Sequence, residues 1–256
     1  MTDYIGVVIP AYQPDIPTLK TYIEHIESEI SPTVVRIEID VPTQEHIDQL
    51  SEMGVEIGVS KQRRGKGAAI MAGFDALGTD ICLFADADGS VPASSLAGII
   101  QPITTGEADV SIGSRRHPSS NIITHQTVLR RFLGDVFALG AQYMLPTQCQ
   151  DYQCGAKAVT ADAWSSIAHH CYEPGFAWDL EFVSVAGSLG YKIAEVPVTW
   201  EDHPESTVNP LTTSVELGSA LIDVKRRTDA IATSPRYRDV DSTDESDLMG
   251  IGSDGD

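Results

Sequence analysis

A chain of 256 residues is long enough for one large α/β domain, and its 42% apolar content is ordinary for a globular protein. Its formal net charge is −20, from 37 acidic and 17 basic residues, and no basic stripe is visible, which excludes nucleic acid as a partner. No apolar run approaches the roughly 18 residues that cross a bilayer, and no signal peptide opens the chain. The expectation is a cytoplasmic protein, at most peripheral to the membrane.

Lysine is scarce, at six against eleven arginines. A hydrated acidic surface poor in lysine points to a halophile's salt-rich cytoplasm, where screening shortens charge repulsion. Cys82, Cys149, Cys154 and Cys171 show no paired metal-ligand spacing and read as reduced thiols.

In chain order, short β-branched runs at 4–11, 34–40, 55–60, 81–85 and 108–113 read as buried strands. Helical stretches near 17–30, 43–53 and 65–77 alternate with them, which predicts a mostly parallel sheet covered by helices on both faces. Beyond residue 114 the pattern predicts a long helix over 128–145, a loop rich in Gln and Cys, then a short strand and helix. A helix over 178–189, a last strand over 191–200 and an amphipathic segment over 211–227 complete the series. From Asp239 the chain carries seven acids and no base, so 234–256 reads as an acidic, disordered tail. The expected domain is therefore 1–233, with halves of about 1–114 and 115–233.

Phe84-Ala85-Asp86-Ala87-Asp88-Gly89-Ser90 leaves the end of an apolar strand, the edge of an open α/β sheet at which ligands bind. Two carboxylates one residue apart can reach a divalent cation that neutralises a diphosphate, although a bare Asp-x-Asp is also a common acidic turn. Arg63-Arg64-Gly65-Lys66-Gly67 is a cationic, glycine-flanked helix entry, where anions are favoured. Arg115, Arg116, Arg130 and Arg131 supply guanidinium forks suited to phosphate. Asp151 through Lys157 reads as a substrate-lining loop. Asp179 and Glu181 stand near a helix start, where Asp179 suits a catalytic role or a helix cap about equally.

Taken in order, these pieces resemble the family 2 glycosyltransferases of GT-A fold, nearest the dolichyl-phosphate β-glucosyltransferase and mannose synthase groups. The matching stretches are Val7 through Tyr12, Gly65 through Ala69, Asp86 through Gly89, Gly113-Ser114-Arg115, Asp151 through Lys157, Ala177 through Glu181, and Ala194 through Trp200. They span roughly residues 4–208. The resemblance implies a Rossmann-like single domain, a nucleotide-sugar donor of UDP-glucose or GDP-mannose type, Mg2+ or Mn2+, inversion at the sugar, and a polyprenyl-phosphate lipid acceptor.

The resemblance places Pro10, Ala11 and Tyr12 at the nucleotide, Asp40 at its base, and Lys66 near the donor. It puts Asp86 and Asp88 at the metal, and Arg115 and Arg131 at the acceptor phosphate. Asp179 or Glu181 would orient the sugar, or act as base for an alcohol acceptor. The chain departs from the family at Gln13-Pro14-Asp15, Val41-Pro42-Thr43 and Glu205-Ser206-Thr207. The Lys225-Arg226-Arg227 end of the last amphipathic segment is the candidate contact with the membrane surface. The alternatives are a sugar nucleotidyltransferase, whose glycine-rich first loop is absent, and a nucleotide-sugar-binding protein without catalysis.

Overall fold

A computed structural model describes residues 3–123, 128–145, 147–201 and 210–233, without the side chains of 128–133, 136 and 210–216. The expected tail at 234–256 and the departure at Thr207 lie outside the described residues.

The elements follow one another as β1 (Ile5–Tyr12), α1 (Ile16–Ile30), β2 (Val34–Asp40), α2 (Gln44–Ser51), β3 (Glu56–Ser60) and α3 (Lys66–Ala76). Next come β4 (Ile81–Ala85), α4 (Ala93–Thr104), β5 (Val110–Ser114), β6 (Asn121–Ile122) and α5 (Val128–Met144). Then β7 (Ala156–Thr160), α6 (Ala161–Ile167), α7 (Trp178–Ser188), β8 (Ile193–Pro197), β9 (Thr199–Trp200) and α8 (Pro210–Thr233) complete the domain. Seven strands form one sheet in the order β3-β2-β1-β4-β7-β5-β8, and β6 pairs with β9 in a small ribbon. This is the expected mostly parallel α/β sheet.

The central strands β1 and β4 feed two cores. Val7, Ile9 and Ala11 of β1 join Ile81, Leu83 and Ala85 of β4 under α1 and α4, while Val8, Cys82 and Phe84 face α3 and α7. Side chains alternate across a strand, so both faces must be apolar when helices cover both. Helix α1 starts where Asp15 accepts the Thr18 amide, and it buries Leu19, Tyr22, Ile23 and Ile26 on one stripe.

Three features differ from the sequence pattern. β7 runs antiparallel between β4 and β5, which brings the loop before it, residues 150–155, to the same sheet edge as the ends of β4 and β5. Helix α4 forms between β4 and β5, where the sequence pattern names no helix; it carries Pro102 and buries Leu96, Ile99, Ile100 and Ile103. The single strand expected over 191–200 breaks at Val198, whose amide bonds to Ser114 and whose carbonyl accepts from Asn121, so β8 and β9 serve different sheets. All four cysteines are free and buried.

Candidate active site

The carboxyl ends of β1, β2, β4 and β5, with the starts of α3 and α7, converge at one edge of the sheet. Tyr12 and Asp40 stand opposite each other in the β1–β2 register. The Arg63 guanidinium lies over the Tyr12 ring at 4.2 Å, a flat cationic surface at the rim. Ala11 is buried in the core, and Pro10 is half-buried beside it.

Asp40, the residue expected at the nucleobase, is engaged by the protein itself. Its buried carboxylate accepts from the Arg64 amide (2.6 Å), the Gly65 amide (3.1 Å) and Arg64 Nε (2.7 Å), so it holds the approach to α3. Arg64 also reaches Glu38, which pairs with Arg36. The departures from the family leave their own mark. Asp15 caps α1. Gln13 and Val41, the first residues past two neighbouring strands, adopt φ of 47° and 50°. For β-branched Val41 that left-handed conformation stores about 1–2 kcal/mol of strain at the rim.

At the end of β4 the chain turns through Gly89 (φ 66°) over the Tyr22 ring, and Asp88 Oδ1 accepts the Ser90 amide at 2.9 Å. Asp88 is exposed; Asp86 is partly covered. Among the described residues no group of three or more His, Cys, Asp or Glu gathers to hold an ion. Two carboxylates at a turn still fit a Mg2+- or Mn2+-type ion, which keeps several waters and takes its remaining ligands from substrate phosphates.

Behind this turn lies an ionic cluster. Lys66 Nζ is 2.9 Å from Asp86 Oδ1 and 2.8 Å from Asp179 Oδ2, and Lys157 Nζ bonds to Asp179 Oδ1 and the Cys154 carbonyl. The Phe84 ring lies 5.1 Å from one ammonium and 5.3 Å from the other. Burial works against ionising Asp179, but Lys157 and Lys66 outweigh it and hold the carboxyl below its usual range. Burial likewise opposes the charge on Lys66, and Asp179 and Asp86 overcome it, leaving its pKa raised. Asp179 is not the helix cap that sequence offered as its alternative, since that position falls to Ala177.

Lys157, which the sequence reads only as the end of a substrate-lining loop, lies in β7 and belongs to this cluster. Its signal was there: a lysine inside the apolar run Ala156-Lys157-Ala158-Val159 of a lysine-poor chain, placed opposite Phe84 by the β4–β7 register.

The glycine-flanked start of α3, expected to draw an anion, is occupied by the protein itself. The Ala68 amide donates to the Pro174 carbonyl at 3.0 Å. A Cβ on Gly67 would lie 2.4 Å from the Glu173 carbonyl oxygen, and one on Gly65 would lie 2.5 Å from that of Pro174. The glycines admit a loop, residues 172–175, against the helix.

On the far side, Arg115 forks onto buried Asp151, with Nε at 2.7 Å and NH2 at 2.8 Å, and its backbone amide closes on the same group at 2.9 Å. Its NH1 is outside that pair. Glu195 accepts the Gln150 and Asp151 amides and so fixes this loop. Arg131 falls on α5, but its side chain lies outside the described residues. Arg116 pairs with Asp135 at the mouth of a groove lined also by Ala138, Leu139, Gln142 and Gln150. The basic end of α8 is not a free cationic patch: Lys225 pairs with Asp229, Arg226 lies 3.9 Å from Asp223, and Arg227 turns inward.

Glycosyl transferase family 2 matches residues 7–163. The dolichyl-phosphate β-glucosyltransferase of Dictyostelium discoideum is 25% identical over 243 residues, covering 88% of this chain and 74% of the relative. Glycosyltransferase AglD of Haloferax volcanii is 25% identical over 228 residues, covering 85% of this chain but 36% of the relative. The mouse dolichyl-phosphate β-glucosyltransferase is 29% identical over 173 residues, which are 65% of this chain and 53% of that one. The chain thus spans well under two thirds of the latter two. Among solved structures, glucosyl-3-phosphoglycerate synthase from Mycobacterium tuberculosis with Mn2+, UDP and phosphoglyceric acid superimposes with a TM-score of 0.68. Identity there is 17%, with 87% of this chain and 78% of that chain covered, a likeness of fold.

Proposed function

The chain belongs to glycosyl transferase family 2, and we propose that it transfers a hexose, with inversion, from a nucleotide diphosphate to a polyprenyl phosphate. The observation that carries this reading is the pair Asp86 and Asp88 at the end of β4 with the Lys66 ammonium beside it, a place to receive a diphosphate. The relatives named for dolichyl phosphate support the acceptor, and the names of two of them support glucose as the sugar.

A phosphate acceptor is already an anion at neutral pH and needs no general base. Asp179 fits that economy, because a carboxylate held between two lysines is a poor proton acceptor. Its role is then to hold Lys66. Asp86 and Asp88 would hold Mg2+ or Mn2+, whose chemistry is to neutralise charge on the departing diphosphate. Tyr12, with Pro10 and Ala11 behind it, lines the nucleotide side, and Arg63 over its ring offers a stacking surface. Asp40 acts there by fixing the Arg64 backbone. Arg115, aimed by Asp151, and Arg131 meet the acceptor phosphate and set its oxygen in line with the sugar.

Among the described residues no helix is long and apolar enough to cross a membrane. The lipid acceptor would be met by peripheral contact at the cytoplasmic leaflet. Leu139 and Tyr143, exposed one turn apart on α5, are apolar groups available for that contact.

The deciding experiment incubates the protein with radiolabelled UDP-glucose or GDP-mannose and polyprenyl phosphate, with Mn2+ or with chelator, and extracts the product into organic solvent. Label in the organic phase that requires the ion supports the reading. Donor binding without transfer would leave a nucleotide-sugar-binding protein instead.

A further inference from the structure

Three buried or largely buried charges, Asp179, Lys66 and Lys157, meet the partly covered Asp86 behind the β4 turn. Two positive and two negative groups balance, with Phe84 closing the apolar side. Asp88 stands outside this pairing and is exposed. Within the cluster the pairs are unequal. Lys157 is bound to Asp179 and to the Cys154 carbonyl, both within one dry core, whereas Lys66 divides its ammonium between Asp179 and Asp86.

Asp86 is tethered through its backbone beside Gly155. Its amide donates to the Gly155 carbonyl at 2.9 Å, and its carboxylate fills the space where a Cβ on Gly155 would stand, 2.1 Å from Oδ2. The longer side chain is that of Lys66, a compact charge on a flexible four-carbon stem, and Asp179 keeps hold of it when Asp86 is taken.

We infer that Lys66 is the resident counter-cation of Asp86, and that it makes a divalent ion and the donor diphosphate bind together. The inference rests on the metal-dependent reading proposed above. An ion approaching the bare protein finds one exposed carboxylate, Asp88, and one already neutralised by an ammonium about 3 Å away. Ion and ammonium repel at that range in a partly dry site. A diphosphate removes the conflict, because its oxygens complete the ion's ligands and its charge receives the displaced ammonium. Asp179 then serves as the pivot that keeps Lys66 within reach of both partners.

The test is Mn2+ uptake, read from the loss of the free-ion electron paramagnetic resonance signal, without nucleotide and with saturating UDP. Wild type, Lys66→Met and Asp179→Asn are compared, each checked for folding by circular dichroism. Wild type should take up Mn2+ weakly alone and much more tightly with UDP. Lys66→Met should bind Mn2+ alone at least about tenfold more tightly than wild type, with a smaller gain from UDP. Asp179→Asn should bind Mn2+ alone more weakly, because Lys66 is left to Asp86 undivided. General loosening of the site would weaken both variants, so opposite signs are the signature. A folded Lys66→Met protein with unchanged or weaker Mn2+ affinity overturns the inference. Where that variant does not fold, unchanged or tighter binding by Asp179→Asn overturns it. Wild type that takes up no Mn2+ even with UDP overturns the metal-dependent reading, and this inference with it.

Discussion

Arg227, about two turns before the end of α8, forms an ion pair with Glu181, a fully buried carboxylate at the start of α7. Glu181 also accepts the Tyr172 amide (2.8 Å) and the Glu173 amide (2.7 Å), while Arg227 reaches Glu173 as well. The same short loop carries the Pro174 carbonyl that receives the Ala68 amide. One arginine therefore ties α8 to the loop that packs on the start of α3.

Arg227→Met leaves Glu181 buried without its cation, and breaking a buried pair costs about 3–5 kcal/mol. Because Arg227 is 30% exposed, a loss of about 2–3 kcal/mol in urea unfolding is expected, with faster amide exchange in α8 and in residues 172–175. Arg226→Glu alters an exposed contact and should stay within about 0.5 kcal/mol of wild type. Equal stability in both variants would mean that Leu221, Val224 and Ile231 dock α8 unaided.

The fork between Arg115 and Asp151 has a pH signature. Burial opposes ionisation of Asp151, yet Arg115 outweighs it and holds the carboxyl at about 2, below the ordinary 3.8. A depressed folded pKa adds stability that is present above the unfolded value and disappears as pH falls through the folded one. The pair should contribute about 2 kcal/mol at neutral pH, lost between about pH 4 and pH 2. Urea unfolding of wild type and Asp151→Asn across that range should show a gap that narrows toward pH 2. A gap independent of pH would separate Asp151's contribution from its charge.

Gly67 is expected to be intolerant for a reason unrelated to anions. Its missing Cβ makes room for the Glu173 carbonyl and for Trp178 Cβ, each 2.4 Å from where a methyl would stand. Gly67→Ala should cost at least about 2 kcal/mol, since backbone on one side and a packed tryptophan on the other leave little room to yield. Gly218→Ala, with open space around a helical glycine of α8, should instead gain about 0.5–1 kcal/mol. Thermal melts of the two variants, moving in opposite directions, check both statements.

The fold was legible where periodicity speaks: β2 and β4 have the bounds their apolar runs announce, and the other early elements shift by a residue or two. The direction of β7 was hidden, because alternation along a strand says nothing about which way it runs. Side-chain commitments were hidden for a similar reason. Asp40, Arg115 and Asp179 do stand at the sheet edge that their motifs indicated, but Arg64, Asp151 and Lys157 engage them across 22 to 36 residues of sequence. Local spacing cannot reveal partners at that distance. Arg227 reads as the end of a basic surface run until Glu173 and Glu181, 54 and 46 residues earlier, are folded against it.

Asp88 separates charge from backbone shape more cleanly than any other residue in the site. It is exposed, and its structural duty is to accept the amide of buried Ser90 through Oδ1. Asp88→Asn keeps an oxygen for that turn and removes the charge, whereas Asp88→Ala removes both. The asparagine variant should melt within about 2 °C of wild type, and the alanine one a few degrees lower, because it leaves the part-buried Ser90 amide without its acceptor. Transfer should fall in both to below about a tenth of wild type, since metal-assisted neutralisation of the leaving diphosphate supplies several kcal/mol. Turnover assays beside titration of the donor, with and without Mn2+, make the distinction. An asparagine variant that keeps most of its activity would reduce Asp88 to a turn-former and leave Asp86 as the carboxylate at the diphosphate. An asparagine variant as inactive as the alanine one, with the same fold and a donor affinity no longer responsive to Mn2+, places the charge of Asp88 in the reaction.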